Sequence, residues 1–250
     1  MIKVGILETG YLSKQLAARH GNFPQMFRTY FAGQPDLNFT VYDIVGGNPV
    51  PKPTMQDAWI ITGSPAAVYE DHAWLPPMRE FVRAALAESV PVLGICFGHQ
   101  LMAQALGGVV VKSDKGYGIG VHSYAVTEAG KEVIGDAAHL NLVVTHQDQV
   151  VELPAGATVL AGSYFCPYAA LAYGEYGLSF QAHPELTIAA GRDIMNRDHA
   201  DAPVPQNVLD AAEISFVNVP SHSQRLVPVF RRFLGRGLNN AGSFPHAASR

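Results

Sequence analysis

The stretch that most limits how this chain can fold runs from Val90 to Gly108: Val-Pro-Val-Leu-Gly-Ile-Cys-Phe-Gly-His-Gln-Leu-Met-Ala-Gln-Ala-Leu-Gly-Gly. Val92, Leu93 and Ile95 make a short apolar run, which reads as a strand buried on both faces. From Phe97 on, Phe97, Leu101 and Ala105 recur at helical spacing with Met102 and Leu106 beside them, and Gly107-Gly108 supplies a stop. The order is strand, tight turn, helix, with Cys96 at the turn between Gly94 and Gly98. Such a turn lifts one side chain clear of the backbone, and flanking glycines relieve the crowding. A helix N-terminus favours thiolate over thiol. The backbone N–H of Phe97 points toward the same place and can meet a developing oxyanion. A buried packing cysteine is the bland alternative. The two glycines and the strand–helix context favour a nucleophile.

The chain has 250 residues and 26.9 kDa, enough for one large α/β domain. It is 48% hydrophobic and carries a net charge of −4 with no basic run, so nothing points to nucleic acid or an anionic membrane. No apolar run approaches the ~18 residues of a membrane span, and the N-terminus lacks the apolar core of a signal peptide. The only cysteines are Cys96 and Cys166, which is not a disulfide framework and suits a reducing, cytoplasmic setting.

The rest of the chain fits an alternating pattern. Ile2–Leu7 reads as a buried first strand, and Leu12–Phe31 as two helical pieces broken near Gly21 and Pro24. Asn38–Val45 and Ala58–Ile61 read as strands, and the latter ends in Thr62-Gly63-Ser64-Pro65. In open α/β sheets ligands bind at that end of the strands. Trp74–Glu88 reads as a helix whose first turn tolerates Pro76 and Pro77. This predicts a doubly wound, mostly parallel sheet. After Gly108, short strands follow at Val109–Val111, Ile119–Val126, Leu142–Thr145, Thr158–Gly162, Ala169–Tyr173 and Leu178–His183. They read as antiparallel extensions of that sheet. Helices resume between Leu186 and Leu234, interrupted at Ala202–Pro205, and Pro228 predicts a kink or a late start in the last one. Residues 1–235 then form one domain, and 236–250 a mobile tail.

A cysteine nucleophile needs a base, and the base needs a group to orient it. His183 ends an apolar strand, with Glu185 two residues on, and i and i+2 point the same way in an extended chain. A carboxylate there can hold the imidazole in one tautomer. His146, in Thr145-His146-Gln147-Asp148, is a second candidate, or simply part of a polar loop. His99 lies one helical turn beyond Cys96 and would have to bend back. There is no His-Glu-x-x-His or Cys-x-x-Cys spacing for a metal, and no phosphate loop. Gly116-x-Gly118-x-Gly120 lacks the dinucleotide pattern and reads as a loop. No metal or other cofactor is therefore expected.

Three separated pieces together resemble the class I, triad-type glutamine amidotransferases: Gly94-Ile-Cys96-Phe-Gly-His-Gln100, Gln181-Ala-His183-Pro-Glu185 and Thr62-Gly-Ser-Pro65. The likeness spans about residues 60–186 and is nearest to stand-alone members related to the amidotransferase domain of GMP synthase and to γ-glutamyl peptidases. It implies a flavodoxin-like α/β fold and hydrolysis of a γ-glutamyl amide. By that resemblance Cys96 attacks the amide carbonyl, His183 moves the proton and Glu185 orients His183. Gly63 and Phe97 lend oxyanion N–H groups, and Gln100, His146 and Gln147 contact the substrate. Ala182 departs from the bulkier residue often found before the histidine. The chain has no nucleotide motif for a synthetase of its own. Three roles follow: amidotransferase subunit for a separate synthetase chain, independent γ-glutamyl peptidase on glutathione-like substrates, or non-catalytic binding protein of the same fold.

Overall fold

The apolar runs of the first hundred residues are laid down as strands of one sheet. They appear as β1 (Ile2–Glu8), α1 (Lys14–His20), α2 (Phe23–Tyr30), β2 (Leu37–Asp43), β3 (Ala58–Ile61), α3 (Leu75–Ala87), β4 (Val92–Ile95) and α4 (Phe97–Ala105). The structure is a computed structural model, and it describes residues 1–196 and 204–238. Next come β5 (Val109–Lys112), β6 (Gly118–Val126), α5 (Glu128–Ile134), β7 (His139–His146), β8 (Asp148–Glu152), β9 (Ala157–Gly162), β10 (Ala170–Tyr173) and β11 (Gly177–Phe180). Three helices follow: α6 (Ile188–Met195), α7 (Gln206–Asn218) and α8 (Ser223–Leu234).

The main sheet has the order β2-β1-β3-β4-β11-β10-β9-β6-β7. Its first five strands are parallel and the other four are antiparallel additions. The sequence therefore foretells the mixed sheet, with four corrections. β5 and β8 leave it to form their own two-stranded antiparallel sheet. β8 and α5 occupy segments in which the sequence reading placed no element; α5 has seven residues, too few for a clear apolar period, and is capped by the Thr127 hydroxyl, which accepts from the N–H of Gly130. Gly118 and Gly120 belong to β6 rather than to a loop, and Gly120 has φ +108° where Ala212 and Ser215 of α7 press against the strand. The strand expected to reach His183 ends at Phe180.

Side chains alternate between the two faces, as the strand period demands. Val4, Ile6, Ile60, Leu93 and Ile95 face one core with Phe27 of α2 and Leu226, Phe230 and Phe233 of α8. Leu7, Trp59, Ile61 and Val92 face the other, with Met78, Phe81 and Val82 of α3 and Leu101 and Met102 of α4. The C-terminal helix thus covers the sheet. It starts at Ser223 and carries Pro228 in its interior. The expected tail begins differently, since Arg236–Leu238 form a 3₁₀ turn and Arg236 donates to the carbonyl of Glu175 at 2.7 Å. The remainder of that expected tail, 239–250, and part of the expected break at Ala202–Pro205 lie outside the described residues.

Candidate active site

β3, β4 and β11 are consecutive, parallel neighbours in the sheet, so the segments leaving their C-terminal ends emerge side by side. β3 leads into Thr62-Gly63, β4 into Cys96, and β11 into Gln181–Glu185. Cys96 N–H donates to the carbonyl of Phe180 at 2.8 Å, which ties the turn to the end of β11.

Cys96 is the residue between β4 and α4, with φ +52° and ψ −101°. A side chain in that region of backbone space is strained, and the surroundings must hold it there. They do so by close packing. A Cβ on Gly94 would sit 2.6 Å from the carbonyl oxygen of Gly98, and one on Gly98 would sit 2.5 Å from that of Ile61. Only glycines allow α4 to start this close to β3 and β4. Cys96 itself is 7% exposed and faces two cavities.

His183 stands across from it, three residues beyond β11, and donates its backbone N–H to the carbonyl of Val143 at 2.8 Å. Its Nδ1 lies 2.7 Å from Oε1 of Glu185, and both side chains are buried. Phe23 stacks on the imidazole with ring centroids 6.0 Å apart and planes 14° apart. Burial alone would strip the proton from this ring, but the Cys96 side chain, in hydrogen-bonding contact, and the Glu185 carboxylate outweigh it and raise the His183 pKa to about 10. His146 and His99 lack such a partner, and burial brings both down to about 3. The Nδ1 of His99 is engaged with the Ser179 hydroxyl at 2.8 Å on β11, away from Cys96. Of these three histidines, only His183 is built to carry a proton.

The Phe97 N–H is at the first position of α4, among the helix donors that lack an intrahelical acceptor. Among the described residues neither it nor the Gly63 N–H finds another. The Gly63 peptide is fixed by Thr62 together with Thr9, which the sequence reading passed over. Thr9, just past β1, receives and gives hydrogen bonds with Thr62: its N–H donates to Thr62 Oγ1 at 3.0 Å and its hydroxyl to the Thr62 carbonyl at 3.1 Å. The Thr62 hydroxyl in turn donates to the Gly63 carbonyl at 3.0 Å. The available signal for Thr9 was a hydroxyl residue immediately after the first strand, at the end where ligands bind in open α/β sheets.

Gln100, His146 and Gln147 line the larger cavity, of about 260 Å³, beside Cys96. The Gln100 amide is already committed, donating to the carbonyl of Asp148 at 2.9 Å and to Gln181 Oε1 at 3.2 Å. Gln181, named only as part of a motif, reaches the sulfur, with its Nε2 3.7 Å from Cys96 Sγ. The Nδ1 of His146 lies 3.1 Å from the Asp148 carbonyl oxygen. Glu70, Lys112 and Asp148 complete the charged wall of this cavity. Cys166 is buried, and desolvation lifts its thiol to about 12. No group of His, Cys, Asp and Glu suited to a metal occurs among the described residues, and no helix among them is long and apolar enough to cross a membrane.

Comparison with known proteins agrees with this architecture. The family profile for glutamine amidotransferase class-I matches residues 44–201. A GMP synthase (glutamine-hydrolyzing) of Chromobacterium violaceum is 42% identical over 141 residues, covering 52% of this chain and 25% of that one. Gamma-glutamyl peptidase 3 of Arabidopsis thaliana is 33% identical over 147 residues, covering 56% of this chain and 59% of that one. The match thus spans about a quarter of the synthase and three-fifths of the peptidase. The solved structure of a glutamine amidotransferase from Methylobacillus flagellatus aligns over 98% of this chain and 99% of that one, with a TM-score of 0.75 and 23% identity, and so shares the fold.

Proposed function

The chain belongs to the class-I glutamine amidotransferase family, and from that premise we propose that it hydrolyses a γ-glutamyl amide through Cys96, His183 and Glu185, with glutamine as the simplest substrate. His183 accepts the thiol proton, and the sulfur attacks the γ-carbonyl carbon. The carbonyl oxygen takes the electron pair and is met by the N–H groups of Gly63 and Phe97. As the tetrahedral centre collapses, the carbon–nitrogen bond breaks and His183 gives its proton to the departing nitrogen. Water, deprotonated by His183, then attacks the thioester, releasing glutamate and restoring the thiol. Glu185 keeps the imidazole oriented and its charge balanced throughout.

The observation that carries this reading is the buried pair of His183 and Glu185, 2.7 Å apart, held against Cys96 at the end of β4. The test is glutamate release from glutamine by the purified chain, together with labelling of Cys96 by the glutamine-like electrophile 6-diazo-5-oxonorleucine. Wild type should do both, and Cys96→Ser neither. A protein that does neither is the non-catalytic relative of the same fold.

Two settings remain for the released amine. The GMP synthase relatives support a separate synthetase chain that would take up ammonia. The peptidase relative supports independent hydrolysis of larger γ-glutamyl compounds. Turnover of glutathione without turnover of glutamine would select the second.

A further inference from the structure

Cys96 lies at the boundary of two cavities of unlike chemistry. The larger one, about 260 Å³, carries Glu70 and Asp148 against Lys112. Opposed charges of that kind suit an α-amino acid head with its ammonium and carboxylate. The smaller one, about 60 Å³, contains His183 and is walled mainly by Tyr11, Leu12, Phe23, Pro65 and Ile194, with the hydroxyl residues Ser64 and Thr145 also in its lining. His183 is the only cationic lining group among the described residues, and its charge is answered by Cys96, which also lines the chamber, and by Glu185. The Tyr11 hydroxyl is taken up by the Asp43 carboxylate.

On the footing of the hydrolytic reading above, we propose that the amine released carries a small apolar substituent, so that the preferred substrates are secondary γ-glutamyl amides of short alkylamines. The argument is directional. The departing nitrogen must lie within reach of the group that protonates it. That group is His183, which lines the smaller cavity and not the larger. Whatever is attached to the nitrogen therefore enters the apolar chamber. Ammonia would leave most of that space empty, since a water-sized molecule needs roughly 15 Å³ of it. An amine bearing a carboxylate would be stripped of water against Leu12, Phe23 and Ile194, with no free cation among the described lining residues to receive it. An alkyl substituent fills the chamber and is received mainly by the carbon of Leu12, Phe23, Pro65 and Ile194. Bond changes are those of the hydrolysis already described: the C–N bond of the amide is exchanged for a C–S bond, and the neutral amine leaves with the proton from His183.

The experiment measures kcat/KM for glutamate release from four compounds: L-glutamine, γ-L-glutamylethylamide, γ-L-glutamylisobutylamide and γ-L-glutamylglycine. One methylene in an apolar pocket discriminates by about 10–200-fold. The two alkylamides should exceed both glutamine and γ-glutamylglycine by at least tenfold. Leu12→Asp, which places a carboxylate on the chamber wall beside α1, should lower the ratio of isobutylamide to glutamine by at least tenfold. Leu12→Ala should lower it less. Glutamine or γ-glutamylglycine equalling the alkylamides overturns the inference while leaving the hydrolytic reading intact. A ratio unchanged in Leu12→Asp overturns it as well. Release of glutamate from none of the four, with Cys96 unlabelled by 6-diazo-5-oxonorleucine, overturns the hydrolytic reading itself.

Discussion

Gly63→Ala isolates the position of the imidazole from every other feature of the site. The substitution keeps the backbone N–H, so the proposed oxyanion donor survives. What it adds is one methyl group, whose carbon would stand 2.9 Å from Cε1 of His183 and 3.2 Å from Cζ of Phe23. Ordinary contact begins near 3.4 Å, so the imidazole must give way by about 0.5 Å. It cannot do so freely, because Phe23 stacks on it and Glu185 holds Nδ1 at 2.7 Å. A displacement of about 1 Å in a reacting group costs on the order of 10²-fold, so half of that corresponds to about tenfold, or ~1.4 kcal/mol in the barrier. Overpacking adds a stability cost of ~1–3 kcal/mol, about 2–4 °C in Tm for each kcal/mol. The assay is steady-state glutamate release alongside a melting curve. The expected result is a kcat about tenfold down, KM little changed and Tm lowered by several degrees. A variant with kcat within twofold of wild type and an unaltered melt would mean that His183 is not held against Gly63, and the account of the site would be wrong.

Other outcomes follow from the same geometry. Glu185→Gln removes one of the two charges that keep the proton on His183. Because the pKa of His183 is raised, the proton needed by the leaving amine is lost only as pH climbs toward about 10; the alkaline limb of kcat/KM should therefore move to lower pH in the variant. Gly98→Ala would drive a Cβ to 2.5 Å from the Ile61 carbonyl, a backbone atom that cannot swing aside, so it should lower the melting point and destroy the Cys96 geometry at a cost of ~1–3 kcal/mol or more. Iodoacetamide at pH 8 should modify Cys96 and spare Cys166, whose thiol is buried and pushed up to about 12; peptide mapping reads the difference. Glu8 is buried with Oε1 unpartnered, and burial, then Asp43, raises its carboxyl to about 7. The folded state thus holds a proton that the unfolded chain releases near pH 4.5, and this stabilisation is complete below that value and lost as pH rises through 7. Glu8→Gln should therefore raise Tm more at pH 8 than at pH 5, by an amount on the order of 1 kcal/mol or 2–4 °C.

What the sequence conveys and what it withholds divide along the range of the interaction. The Cys96 turn is legible because its causes are local: an apolar run, two glycines four residues apart and a helical period, all within Val90–Gly108. The pairing of His183 with Glu185 is legible for the same reason, although the strand ends three residues earlier than the apolar run suggests. The seven-residue α5 and the five-residue β8 are too short to carry a clear period. Thr9 and Gln181 matter through partners 53 and 85 residues away, Thr62 and Cys96, and no spacing within either segment announces those contacts.

The decisive nonlocal fact is the return of β11. After a run of antiparallel strands the chain comes back and pairs parallel with β4, Phe180 beside Ile95. One strand further away, the His183 loop would stand about 5 Å farther from the sulfur, beyond hydrogen-bonding reach. On the other edge of β4, β3 delivers Gly63, and α4 can close over that junction only because Gly98 offers no side chain to Ile61. The strand order β3-β4-β11 thus does for this site what no single motif can: it turns three distant fragments into neighbours at one end of a sheet. The chemistry proposed at Cys96 accordingly depends on register as much as on residue type. A slip of β11 by one residue would shift the loop that carries His183 along β4 and separate the proposed base from the cysteine, even with every motif residue still present.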